Sequence, residues 1–126
     1  SIITSFQTLA FNPRIARDTL RVLAQRQGKK SDDWRDEEPG KILHELRDGE
    51  MAAMNEIPMT PYYASVDSTP LFLMLAAEYA NWTGDMDLIR EIEPNLTAAL
   101  LGPTPYPALR ATFRSPSRPC SHFPRQ

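Results

Sequence analysis

A long polar connection between apolar helical segments constrains this 126-residue chain more than any other feature. The stretch from Trp34 to Asp67 mixes acids, bases, aromatic rings and amides. Connections of this length in a compact domain are uncommon, and they are either functional or disordered. Because aromatic and turn-forming residues argue against disorder, we expect a folded loop. Such a surface suits a polyhydroxyl ligand, since rings stack on sugar faces and carboxylates accept hydrogen bonds from hydroxyls.

Apolar residues at helical spacing predict two helices before this connection. The first covers roughly Ile2–Phe11 and the second about Pro13–Gln27. Asn12 is a good N-cap for the second helix, with Pro13 at its first position, and Gly28 is expected to cap its C-terminus. A short third helix around Lys41–Arg47 is predicted inside the connection, between Pro39-Gly40 and Gly49.

Two further helices are predicted after the connection. The fourth is expected to start with Pro70 at its first position, capped by Ser68 or Thr69, and its apolar start predicts burial on nearly all sides. Residues 83–85 should end it and cap a fifth helix, Met86–Leu101, where Pro94 predicts a kink or a break. Helices joined by turns predict an all-α fold built from helical hairpins.

The charge distribution divides the chain at residue 101. Residues 1–101 hold all 16 acids and ten of the 14 basic residues, a net charge of −6, whereas residues 102–126 hold four arginines and no acid. An acidic body is a poor nucleic-acid binder. The segment 102–126 contains six prolines and has no helical or strand period. We interpret it as an irregular tail that is either disordered, foreign, or the product of a shifted reading frame.

Several classes of protein are disfavoured by residues that the sequence lacks. No apolar run is long enough to span a membrane, and no secretory signal is visible. The single cysteine, Cys120, excludes an internal disulfide framework and fits a cytoplasmic location. Two isolated histidines and five glycines provide no metal motif, phosphate loop or dinucleotide motif, so no cofactor is expected.

Three segments together resemble the amylo-α-1,6-glucosidase, or glycogen-debranching-like, glycoside hydrolases. They read SIITSFQTLAFNPRIARDTLRVLAQRQG, DDWRDEEPGKILHELRDGEMA and TPYYASVDSTPLFLMLAAEYANWTGDMDLIREIEPNL, and the resemblance covers roughly residues 1–101. It implies an (α/α)6 toroid of six helical hairpins, whose active-site residues lie on loops at one end. About two of the six hairpins would be present here.

The resemblance also implies that catalytic segments are missing. Family members read W-x-GRDS where this chain begins with Ser1, and they carry a segment like NQGWKDS downstream whose Asp resembles a general acid. Neither motif is present, so the chain is expected to be a catalytically incomplete piece of an α-glucan-acting enzyme. Glycoside hydrolysis needs two carboxyl groups across the scissile bond, and no assured pair is visible.

Asp67 is the strongest candidate for a substrate-binding residue, because it stands at the head of an apolar helix after two tyrosines. It either accepts a hydrogen bond from a sugar hydroxyl or simply caps the helix. Glu45 and His44 either bind sugar or lie on a solvated helix face. Glu38 either points into the site or forms a plain ion pair with Lys41.

Three aromatic residues of the connection are further candidates for substrate binding. Trp34, Tyr62 and Tyr63 either stack on glucosyl rings or pack against the helices. Two alternatives to an enzyme fragment stay open: a small helical carbohydrate-binding protein, and a helical module that docks a protein partner through its apolar faces. Faces left without neighbouring hairpins would also favour self-association.

Overall fold

The computed structural model describes residues 1–102 of the chain, and this part is all-α. Its helices are, in order, α1 Ile2–Thr8, α2 Pro13–Gln25, α3 Glu50–Ala53, α4 Ser68–Thr83 and α5 Met86–Leu101. The only β-type pairing within residues 1–102 is two isolated bridges. The predicted tail, apart from Gly102, lies outside the described residues.

Local capping sets the start of α2. The Asn12 side chain accepts a hydrogen bond from the amide of Arg14, and Pro13 occupies the first turn, which confirms the predicted N-terminus. The predicted C-cap is wrong, because α2 ends at Gln25 and Arg26 is its C-cap. Gly28 has a different structural role: a Cβ atom there would lie 2.4 Å from the carbonyl oxygen of Glu38, so only glycine permits this approach of two backbone segments.

The hairpin of α4 and α5 follows its predicted turn chemistry. Gly84 ends α4 with a φ of 68°, and the Asp85 side chain caps α5 by accepting a hydrogen bond from the amide of Leu88. The start of α4 differs from the prediction, since Ser68 is its first residue and Pro70 its third. The expected break in α5 is absent: the helix runs through Pro94, whose exposed position keeps the ring away from the core.

Helix α2 lies at the centre of the helical packing, where it contacts α1, α4 and α5. The largest fully buried apolar side chains are Phe72, Leu20, Ile42, Leu75 and Leu88. The prediction that α4 is buried nearly all round is wrong. Its packed face meets α1, α2 and α5, but Met74 is 56% exposed on the side that no helix of residues 1–102 covers.

The connection between α2 and α4 is folded through paired backbone segments. Gly28 and the 40–41 segment exchange hydrogen bonds, Asp32 pairs with Glu37, and Glu45 pairs in both directions with Tyr62. This last pairing makes residues 41–47 extended, so the helix predicted there is wrong. Pairing with Tyr62, which is distant in the sequence, outweighs the helical spacing of residues 41–47. The short helix of the connection forms instead at Glu50–Ala53.

The Pro39-Gly40 turn packs against the C-terminal end of α5. A Cβ atom on Gly40, whose φ is 91°, would lie 2.3 Å from the carbonyl oxygen of Ala98. Next to this contact, the buried Gln27 amide donates to the carbonyls of Gly40 and Asn95, and the Asn95 side chain donates to Gln27 in return. These contacts fix the connection to both α2 and α5.

No helix within residues 1–102 combines the length and the apolar character that crossing a bilayer requires.

Candidate functional site

An open cavity of about 520 Å³ lies where α1, α2 and the start of α4 meet the connection. Two of the predicted site residues, His44 and Asp67, line it together although they are 23 positions apart in the sequence. Its other polar lining residues are Ser1, Asp18, Thr19 and Ser68, and its apolar ones are Ile2, Ile3, Val22, Leu23, Leu43 and Leu71. The cavity therefore combines an apolar floor with polar groups, which is the usual make-up of a small-molecule site.

The carboxylate of Asp67 is exposed at the N-cap position of α4, yet its side chain makes no capping hydrogen bond. It accepts a hydrogen bond from the hydroxyl of Ser65. This bond holds the pKa of Asp67 below its usual value, and the nearby His44 ring lowers the pKa further. Asp67 is therefore ionised at neutral pH, so it accepts hydrogen bonds and is not a proton donor.

The backbone amides of His44 and of the nearby Ile42 hold this segment at the cavity. The amide of His44 donates to the carbonyl of Tyr62 at 3.0 Å, and the amide of Ile42 donates to the Thr69 hydroxyl of α4 at 3.1 Å. The ring nitrogen Nδ1 lies 3.5 Å from the buried Ser68 hydroxyl. The exposed imidazole is thus positioned beside the first turn of α4, where Asp67 also lies.

The two predicted glutamates lie outside this cavity and form ion pairs. Glu45 accepts from Nε of Arg47 at 2.5 Å, and a third of its side chain remains exposed. Glu38 lies 3.4 Å from Nζ of Lys41, which confirms the predicted ion pair. Lys41 also pairs with Asp36 at 3.3 Å, so its charge is shared between two carboxylates.

The three predicted aromatic residues occupy different environments. Trp34 is 59% exposed, Tyr62 is half-buried, and Tyr63 is only 3% exposed. The Tyr63 hydroxyl donates to the carbonyl of Arg26 at 2.8 Å, and burial raises its pKa. Tyr63 therefore packs in the core and connects the end of α2 to the loop, so its ring is not available to a ligand from solvent. Trp34 and Tyr62 remain accessible, but neither lines the cavity.

Four polar residues of the cavity were not identified from the sequence: Ser1, Asp18, Thr19 and Ser68. The sequence predicts that Asp18 and Thr19 lie on α2 but does not indicate that they line a cavity. The Thr19 hydroxyl accepts from Ser5 at 2.9 Å, so α1 determines which way it faces. No signal in the sequence specified this contact between two helices.

The polar groups of the cavity can bind hydroxyls. Two carboxylates, Asp18 and Asp67, line it, and the lowered pKa of Asp67 keeps that carboxylate ionised. Within residues 1–102 no three His, Cys, Asp or Glu side chains come together as metal ligands. The groups present can accept hydrogen bonds from hydroxyls through Asp67 and His44.

No model of a known protein family matches the chain, and no curated protein matches it significantly.

Proposed function

We propose that residues 1–101 are part of an (α/α)6 toroid glycoside hydrolase that acts on α-glucosidic linkages, of the glycogen-debranching or amylo-α-1,6-glucosidase type. In this proposal the cavity at His44 and Asp67 binds a sugar hydroxyl of an α-glucan or oligosaccharide. The observation that carries it is the convergence of these two residues, from separate motifs of the family resemblance, on one open cavity.

The chemistry of the cavity fits a sugar better than it fits a charged or wholly apolar ligand. An ionised Asp67 accepts hydrogen bonds from hydroxyls, and the His44 ring nitrogens provide further hydrogen-bonding groups beside it. The apolar floor contributed by α1 and α2 can contact the CH groups of a sugar ring. Binding without turnover is expected of the isolated chain, since its sequence has no NQGWKDS-like segment, whose Asp resembles a general acid.

Calorimetry with maltotriose and with an α-1,6-linked glucose disaccharide tests this proposal. The intact chain should bind at least one of these sugars, and Asp67→Asn should weaken binding about tenfold by replacing a charged acceptor. Asp87→Asn on α5 is the matched control, because Asp87 is exposed and lies outside the cavity. Absence of binding, or equal loss in both variants, would contradict a sugar site here.

Turnover is measured separately with an α-1,6-branched glucan. The proposal expects no release of glucose by the purified chain. Hydrolysis at a rate above that of a heat-inactivated sample would show that catalytic groups are complete within the 126 residues.

A helical docking module is the second candidate, favoured by exposed apolar side chains on several helices. Ile3 on α1, Met74 on α4 and Leu100 on α5 each expose more than half of their surface. Exposed apolar surface of this kind marks protein contacts when it is continuous. Sedimentation velocity tests it: concentration-dependent association that Met74→Lys reduces supports the module, whereas a monomer at all concentrations argues against it.

A further inference from the structure

A second hollow, of about 320 Å³, lies beside α3 inside the connection. Its lining residues are Arg35, Arg47, Asp48, Gly49, Ala52, Ala53, Asn55 and Thr60. It shares no lining residue with the cavity at His44 and Asp67. The hollow is therefore a separate candidate site within the described part of the chain.

The position of Arg47 relative to His44 keeps the two hollows apart. Both residues lie on the extended segment that pairs with residues 59–62, and they are separated by three positions. His44 lines the first cavity and Arg47 lines the second hollow, and the two sets of lining residues have no member in common. A ligand in the second hollow therefore does not continue the ligand bound at His44.

Guanidinium donors dominate the polar lining of this hollow. Within residues 1–102, the Arg35 side chain forms no ion pair, and Arg47 uses only its Nε atom, toward Glu45. Another acceptor can therefore bind the terminal nitrogens of Arg47 and all the guanidinium nitrogens of Arg35. A guanidinium fork matches the paired oxygens of a carboxylate or phosphate group.

Two further groups limit which oxyanion fits. Asp48 lines the hollow with an exposed carboxylate that makes no ion pair within residues 1–102, and it repels a fully deprotonated anion. The same carboxylate accepts a hydrogen bond from a ligand hydroxyl. The Thr60 hydroxyl is enclosed beside the hollow and has no hydrogen-bond partner within residues 1–102, which leaves one further polar group to be satisfied.

From these four side chains we infer that the second hollow binds a small oxyanion that also carries a hydroxyl, such as hydrogen phosphate or a hydroxycarboxylate. Arg35 and Arg47 hold the charged oxygens, and Asp48 accepts from the hydroxyl. This site is independent of the proposed sugar site, so either can be present without the other.

An NMR titration of the intact chain with inorganic phosphate at neutral pH tests the inference. The readout is the Nε–Hε signals of the arginines, because the chain holds many other basic residues and a bulk signal would not locate the site. Saturable shifts are expected at Arg35 and Arg47. Arg35→Met should raise the dissociation constant at least about tenfold, while Arg14→Met, which removes an exposed arginine elsewhere, should leave it unchanged.

Matched ligand pairs test the role of the hydroxyl. Sulfate has the shape of phosphate but no hydroxyl at neutral pH, and propionate lacks the hydroxyl of lactate. Phosphate should bind more tightly than sulfate and lactate more tightly than propionate, and Asp48→Asn should remove both preferences. The stronger of phosphate and lactate identifies the class of ligand.

The absence of saturable shifts at Arg35 and Arg47 would overturn the site. So would equal binding by the Arg35→Met and Arg14→Met variants, because that would make the attraction a general effect of positive charge. Asp67→Asn should not change phosphate binding, which separates this result from the test of the sugar site.

Discussion

The carboxylate of Asp67 shows how a single neighbour sets the chemistry of the cavity. Its hydrogen bond from Ser65 lowers its pKa, and it makes no capping bond to α4, so its charge faces the cavity. The sequence placed Asp67 at a helix start but left its orientation open. In the folded loop the carboxylate accepts a hydrogen bond from Ser65, two residues before it, and makes no capping bond to α4.

Ser65→Ala should raise the pKa of Asp67 toward its ordinary value, because the largest cause of the lowered pKa is removed. A folded-state pKa below the unfolded value stabilises the fold above the unfolded pKa, and this contribution is lost as the pH falls through the folded pKa. The variant should therefore lose less stability in acid than the parent. Carboxyl NMR titration measures the pKa directly, and an unchanged Asp67 pKa would show that Ser65 is not the cause.

Tyr63→Phe should destabilise the fold by about 1 kcal/mol, because the hydroxyl that donates to the carbonyl of Arg26 is lost. Tyr62→Phe is the matched control, since Tyr62 is half-buried and its hydroxyl makes no hydrogen bond within residues 1–102. Urea unfolding of the two variants gives the comparison. Equal stability losses would contradict the core position of Tyr63.

At the scale of elements, local chemistry predicted the helices well and the connection poorly. Asn12, Pro13 and Asp85 specify helix starts by contacts within two or three residues, which a sequence displays. The helix predicted at Lys41–Arg47 does not form, because Glu45 pairs with Tyr62 about 17 residues later in the chain. No local sequence pattern reveals such a distant partner. The polar loop was predicted to be folded, whereas the pairs that fold it were not.

Gly40→Ala should destabilise the protein more than Gly84→Ala. Both glycines have positive φ, and a side chain there costs about 1–2 kcal/mol. Gly84 has open space around an added Cβ atom, but at Gly40 that atom would lie 2.3 Å from the backbone of Ala98. Thermal unfolding measures the stability loss of both variants. The loss at Gly84 reports the backbone strain alone, and the additional loss at Gly40 reports the clash with Ala98. An equal loss would mean that the turn does not pack on α5.

At the scale of the whole molecule, α1, α4 and α5 pack around α2 to form one core, and the cavity lies at the side where the connection returns to α4. The sequence predicted the all-α class and the loop as the binding surface. Five of its seven candidate residues lie away from the cavity, because extended pairing sends Glu45 and Tyr62 elsewhere and packing buries Tyr63. The toroid and its α-glucan substrate remain proposals that rest on the family resemblance and on this cavity.

The most direct test of the proposed sugar site is an amide NMR titration of the intact chain with maltotriose. If the cavity binds sugar, saturable shifts are expected at His44, Asp67 and Ser68 and at the α2 positions Asp18 and Thr19. No shifts are expected at the second hollow around Arg47. Asp67→Asn should require about tenfold more maltotriose for the same grouped shifts, while Asp87→Asn should leave the required concentration unchanged. Shifts that are absent, or that fall outside the cavity, would contradict the sugar site.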